Sequence, residues 1–145
     1  PMEEAIQRLH DAGVVVVIAA GNETQDTANV VPAGYDIGLV VSAYDNAGGG
    51  DNGFAFFSNF GDEVDIAAPG VDIPSTYPAG GYAELSGTSM ATPLVAGAVA
   101  AWFAENPNGT RQQAIDAVVS TGENGYQGQR GNHPEPMIDI EALLQ

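Results

Sequence analysis

Ser89 stands in the glycine-containing stretch SGTSMA, directly before an apolar run of helical length. A helix N-terminus presents unpaired backbone N–H groups and the positive end of the helix dipole, and both favour negative charge. A serine in this position could attack a carbonyl carbon, because the same groups would stabilise the oxyanion that forms. Serine and threonine also cap helices without any chemistry. The local sequence leaves both interpretations open.

Asn22 follows the apolar run GVVVVIAAG at residues 13–21. Asparagine is common in the turns that follow strands, where it has no catalytic part. The local sequence by itself gives Asn22 no role beyond such a turn.

Three segments resemble the subtilase family, the subtilisin-like serine peptidases, in their order and separation. They are GVVVVIAAGNE at 13–23, FSNFGDEVDIAAPGVDIPST at 57–76 and LSGTSMATPLVAGAVA at 85–100. The resemblance implies a serine endopeptidase that hydrolyses peptide bonds through an acyl-enzyme on Ser89. It also implies that the Asn22 side chain and the Ser89 backbone N–H form the oxyanion hole. No cofactor is implied for the chemistry.

The resemblance further implies a pocket for the substrate side chain that precedes the scissile bond. A branched residue stands at the pocket base, where well-known subtilases keep glycine, which implies a shallower pocket. The implied substrate-binding residues are Ala19, Ala20, Gly21, Val30 (at the base) and Thr88.

The resemblance also implies a structural calcium or sodium ion, because several residues match positions that bind such cations in some subtilases. Carboxylate and carbonyl oxygens are the ligands that hard cations prefer. The alternative is that the acids are simply exposed at a strand edge. The implied ligands are the side chains of Glu63 and Asp65 and backbone carbonyls near Ala33, Tyr35 and Gly38.

The aspartate and histidine of a subtilase precede the serine, and they belong to segments that this chain lacks. Both histidines of the chain, His10 in LHDAG and His133 in GNHPEP, are predicted to be surface or loop residues. The sequence therefore resembles the C-terminal half of a subtilase catalytic domain, a single unit over residues 1–145. We expect it to be inactive alone, because a serine hydroxyl needs a base within hydrogen-bond reach.

The expected partners are a peptide or protein substrate and either the missing N-terminal half or a second copy of the chain. The alternative is a non-catalytic relative that binds a peptide or a partner chain. An α/β-hydrolase that uses His133 is disfavoured, because GTSMA lacks the last glycine of that family's motif around its serine. Family resemblance implies an extracellular location.

The hydrophobic pattern predicts a three-layer α/β/α fold with a mainly parallel sheet. A β-branched run such as VVVVIAA is typical of a strand that is covered on both faces. Glycines and prolines separate the predicted elements. The predicted helices cover about 2–12, 88–105, 110–121 and 137–144, a flexible turn is predicted at 48–53, and the predicted strands cover about 14–20, 38–44, 54–57, 64–67 and 82–85.

The composition excludes some functions. Nineteen acidic residues face three basic ones, which gives a formal net charge of −16 and should repel nucleic acid. No apolar run reaches membrane-spanning length, so no membrane partner is expected. Cysteine is absent, which excludes a disulfide framework and thiolate metal sites.

The charge excess predicts that salt stabilises the protein. Mutual repulsion of the carboxylates should weaken as salt screens charges over about 10 Å at 0.1 M. We expect the midpoint of urea denaturation to rise between low and molar potassium chloride. Equal midpoints would mean that the carboxylates lie too far apart to matter.

Overall fold

The computed structural model describes residues 1–46, 53–124 and 133–145. The flexible turn predicted at 48–53 lies outside them except for its last residue. In chain order the elements are α1 (Met2–Asp11), β1 (Val17–Ala19), β2 (Leu39–Tyr44), β3 (Ile66–Pro69), β4 (Ile73–Tyr77), β5 (Gly81–Leu85), α2 (Thr88–Glu105), α3 (Arg111–Ser120) and α4 (Ile140–Leu143).

Strands β1, β2 and β3 form a parallel sheet in that order. Val17 pairs with Leu39, and Val41 pairs with both Ala19 and Ile66. All six residues of β2 are buried, as expected for the central strand of a sheet that is covered on both faces. The parallel arrangement carries the C-terminal ends of all three strands to one edge of the sheet.

Alternate residues of β2 face two different apolar clusters. Leu39 and Val41 pack with Val95 of α2, whereas Val40 packs with Ile6 of α1. Helices therefore cover both faces of the sheet, and the predicted α/β fold with a mainly parallel sheet is confirmed. The side-chain period of two along a strand explains why one strand serves both layers.

Helix α2 has the predicted bounds and no strongly polar face. Ala91 and Val95 are fully buried against the sheet, together with the fully buried Ala114 and Val118 of α3. Within the described parts of the chain, no helix is long and apolar enough to cross a membrane.

Three predicted elements differ in the structure. Residues near Phe54 make only an isolated bridge to Tyr44 instead of a strand. Strands β4 and β5 pair only with each other, in a separate antiparallel hairpin, and do not form the edge of the main sheet. The last helix starts at Ile140, because Met137 is still extended and bridges to Ala67 of β3.

Because β2 is buried on both faces, the same substitution should cost more stability in β2 than on the exposed face of α1. Leu39 is 0% exposed and Leu9 of α1 is 46% exposed. Leu39→Ala should lower the free energy of unfolding by about 2–5 kcal/mol, because it leaves a cavity in the core. Leu9→Ala is the matched control, and urea denaturation should give it a loss of less than about 1 kcal/mol. Equal losses would contradict the described core.

Candidate active site

The C-terminal end of β1 and the N-terminal end of α2 meet at Thr88. Its backbone N–H donates to Asn22 Oδ1 at 2.8 Å, and its hydroxyl donates to the same oxygen at 3.0 Å. The Thr88 hydroxyl also accepts the N–H of Gly21 at 3.1 Å. Thr88 is fully buried, although Asn22 is exposed, so these bonds are partly shielded from water. They join two segments that are more than sixty residues apart.

These bonds fix the orientation of the Asn22 amide. A backbone N–H can only donate, so the atom that faces Thr88 must be the oxygen of the amide. The amide nitrogen, Nδ2, consequently points elsewhere, and it makes no hydrogen bond with any of the described residues. Since Asn22 is exposed, both N–H groups of this amide are available to a ligand.

Ser89 is exposed in the first turn of α2. Its backbone N–H has no carbonyl partner among the described hydrogen bonds, as is usual in the first turn of a helix. The helix dipole adds positive potential at this position. The structure therefore brings Asn22 next to the residue that precedes Ser89; an oxyanion hole formed by the Asn22 amide and the Ser89 N–H stays a prediction.

Neither histidine is hydrogen-bonded to Ser89. His10 lies on α1 and its Nδ1 is 3.4 Å from Asp11 Oδ1. His133 Nδ1 is 2.8 Å from Glu135 Oε1, and that oxygen also accepts the hydroxyl hydrogen of Ser42.

His133 was predicted to be a surface or loop residue; it lies outside the helices and strands, as the second alternative states, but it is not at the surface. Its ring is buried and stacks on Phe54 with 3.9 Å between the ring centroids. The cluster of Ser42, His133 and Glu135 attaches the C-terminal segment to β2. The ring of Phe54 and the carboxylate of Glu135 allow this histidine to be buried. The sequence feature that could have indicated its burial is the glutamate two residues later.

The predicted substrate-binding residues occupy different environments. Gly21 and Val30 are half-buried, as is Ala19, whereas Ala20 is fully buried among apolar side chains. The buried Thr88 hydroxyl contacts Asn22. Contact of any of the five with substrate stays a prediction.

Gly21 meets two local requirements that explain the residue type. Its φ is +103°, a region that side chains with a Cβ rarely adopt. A Cβ added there would lie 2.3 Å from Asn59 Nδ2. Glycine thus allows the buried Asn59 to approach the backbone beside Asn22.

Asn59 is a residue that sequence reasoning missed. It lies in the quoted segment FSNFGDEV, where nothing distinguishes it from an ordinary turn asparagine. In the structure it is fully buried, and its amide makes four hydrogen bonds to residues on both sides of Asn22.

The two predicted cation-binding carboxylates have separate partners. Glu63 Oε2 accepts the hydroxyl hydrogen of Thr27 at 2.7 Å, and Asp65 Oδ2 accepts the N–H of Val40 at 2.7 Å. Burial raises the pKa of Asp65 to about 6; the hydrogen bond from Val40 opposes the rise and the charge of Asp36 adds to it. No group of three histidine, aspartate or glutamate side chains suited to a metal occurs among residues 1–46, 53–124 and 133–145. Backbone carbonyls could complete a cation site that has only two carboxylates, so the site stays a prediction.

Sequence comparison identifies the relatives of this chain. A family model described as the Subtilase family matches residues 1–134. Subtilisin of Bacillus pumilus is 38% identical over 147 residues, which cover 99% of this chain and 51% of that protein. Subtilisin DY of Bacillus licheniformis is 36% identical, with coverages of 99% and 52%. The chain thus spans about half the length of these relatives.

Solved structures agree with the sequence comparison. A protease of Pseudoalteromonas arctica matches with a TM-score of 0.87 and 30% identity, over 98% of this chain and 45% of that one. A cold-adapted subtilisin-like serine proteinase matches with a TM-score of 0.83 and 36% identity, over 94% and 48%. From the fold, the paired segments at Ser89 and these matches, the chain belongs to the subtilase family.

Proposed function

We propose that the chain is the nucleophile-bearing half of a subtilisin-like serine endopeptidase. The observation that carries this proposal is the fixed orientation of Asn22, whose amide oxygen is held by Thr88 while its nitrogen is left for a ligand. The N–H of Ser89 supplies the second donor. Two preorganised donors beside an exposed serine suit a reaction in which a carbonyl oxygen gains negative charge.

The reaction follows from this geometry. Ser89 Oγ attacks the carbonyl carbon of a peptide bond, and a histidine from outside the chain takes the hydroxyl proton. The carbonyl oxygen becomes an oxyanion between Asn22 Nδ2 and the Ser89 N–H. Collapse of this intermediate expels the amine, which receives the proton, and leaves an acyl-enzyme. Water then hydrolyses the acyl-enzyme through the same steps.

We also propose an extracellular location, in line with the family resemblance.

The partner that supplies the missing base is the N-terminal half of a subtilase domain. Strand β1 is an edge of the described sheet, so its outer backbone groups pair with no described strand. The matched structures contain a further half of chain beyond the region this one covers. A face of exposed small residues runs along α2 from Ser89 and would let another element approach closely: Pro93, Ala96, Gly97, Ala100 and Ala104.

Complementation tests the proposed function. The chain alone should not hydrolyse a chromogenic peptide, because neither His10 nor His133 is bonded to Ser89. Addition of the N-terminal half of the Bacillus pumilus subtilisin, in which the family resemblance implies the aspartate and histidine, should produce turnover. Ser89→Ala should abolish that turnover, whereas Ser120→Ala, a matched serine substitution at the exposed end of α3, should retain it.

Three outcomes would contradict the proposal. Turnover by the chain alone that disappears in Ser89→Ala would show that the partner is not required. Binding of the two halves without turnover would favour the non-catalytic alternative, a module that binds a peptide or a partner chain. Association of the chain only with itself would identify a second copy as the occupant of the α2 face.

We also propose a calcium or sodium ion at Asp65 and Glu63, with the carbonyls of Ala33, Tyr35 and Gly38 as further ligands. These are oxygen donors, as a hard cation requires. The Asp65 carboxylate is half-buried beside the charge of Asp36, and the raised pKa of Asp65 reflects the cost of ionising it there. A cation would offset that cost.

Calcium or high sodium should therefore raise the melting temperature at pH 8, where Asp65 is ionised. Binding to the folded state alone stabilises it by mass action. The shift should disappear in Glu63→Gln/Asp65→Asn and persist in Asp62→Asn, a neighbouring exposed acid. A shift that is equal in all three proteins would mean general screening of charge and would contradict a site.

A further inference from the structure

We propose that Asn59 is a positioning residue that holds the oxyanion-hole amide of Asn22 in place through Glu23. This inference rests on the proposed function, because it assigns Asn59 a part in the same site. Asn59 lies in the segment between Ala55 and Phe60, which is hydrogen-bonded to the loop that follows β1. It touches no reacting atom.

The Asn59 amide spans the backbone on both sides of Asn22. Its Nδ2 donates to the carbonyl of Ala20 at 2.9 Å, before Asn22. Its Oδ1 accepts the N–H of Glu23 at 2.9 Å and that of Gln25 at 3.1 Å, after Asn22. The backbone N–H of Asn59 also donates to the carbonyl of Gly21 at 3.0 Å. One buried residue thus satisfies four backbone groups of the loop.

Glu23 carries this restraint to Asn22 itself. Its Oε2 accepts from Asn59 Nδ2 at 2.8 Å and from the N–H of Asn22 at 2.9 Å. The Asn22 backbone is therefore held from the Asn59 side, while its side-chain oxygen is held by Thr88 on the other. Hydrogen bonds to a carboxylate are stronger than neutral ones, and the Glu23 carboxylate accepts two of them here.

The chemistry of the contact demands an amide at residue 59. An amide provides two donors and an acceptor in one plane, and all are used here. An aspartate of the same shape would point a carboxylate at the Ala20 carbonyl and at Glu23. That substitution keeps the volume and reverses two interactions, which makes Asn59→Asp a sharp test.

The first experiment uses the chain as it is and needs no activity. Nuclear magnetic resonance of the 15N-labelled protein reports the side-chain amide of Asn22 and the exchange rates of backbone amides. Asn59→Asp should shift the Asn22 side-chain resonances and speed hydrogen exchange at Glu23 and Gln25 at least about tenfold. Asn108→Asp, the matched control, makes the same substitution at an exposed residue beyond the end of α2, and should leave both readouts unchanged.

Glu23→Ala is a second variant in case Asn59→Asp does not fold. Glu23 is exposed, so its loss should leave the core intact, yet it removes the link to the Asn22 N–H. It should shift the same Asn22 resonances. Unchanged Asn22 side-chain resonances in the folded variants would overturn the proposal, whether or not complementation yields an active peptidase.

The second experiment measures turnover in the complemented peptidase. Asn59→Asp should lower kcat at least about tenfold with KM within about twofold. The reason is that the hydrogen bond from a misplaced Asn22 amide to the oxyanion is made only in the transition state. The loss should vanish when Asn22 is already alanine, because residues that act through one another are not additive. An equal loss of kcat in the Asn22→Ala background would overturn a role through Asn22.

Discussion

The structure depends on the contact between the end of β1 and the start of α2. Thr88 donates its N–H and its hydroxyl hydrogen to a single oxygen of Asn22. These bonds can form only if the start of α2 lies beside the C-terminal end of β1. The apolar contacts of Val95 with Leu39 and Val41 set the position of α2 on the sheet. Core packing thus determines the direction in which a single amide points. The exposed chemistry of the site follows from a buried arrangement.

The loop that bears Asn22 is stabilised more by a neighbouring segment than by its own conformation. Thr24 donates its N–H to the Phe57 carbonyl at 3.0 Å, and Thr27 donates to the Phe60 carbonyl at 2.7 Å. In the same contact, the Asn59 side-chain oxygen accepts the N–H groups of Glu23 and Gln25. Loops carry binding groups that a rigid scaffold positions. In this protein part of that scaffold is itself irregular and depends on a buried side chain for its rigidity.

The charge of the molecule and its apolar interior are separated cleanly. Most acidic residues in the described parts of the chain are exposed, whereas Glu135 is buried and binds Ser42 and His133 beneath Phe54. A buried carboxylate requires hydrogen-bond donors, and a serine and a histidine provide them. This cluster binds the C-terminal segment to the middle of the sheet. The remaining acids make the protein repellent to polyanions.

The sequence by itself determined the layers, the parallel strands and the candidate nucleophile. Hydrophobic period and turn residues are local, so VVVVIAA and the run after Ser89 could be assigned without knowing their neighbours. Resemblance to subtilases added Asn22, whose role no local pattern reveals. The pairing of Thr88 with Asn22, the burial of His133 and the contacts of Asn59 were decided only by tertiary structure. Each joins residues far apart in the chain, and which distant polar groups meet depends on how the strands and α2 pack together.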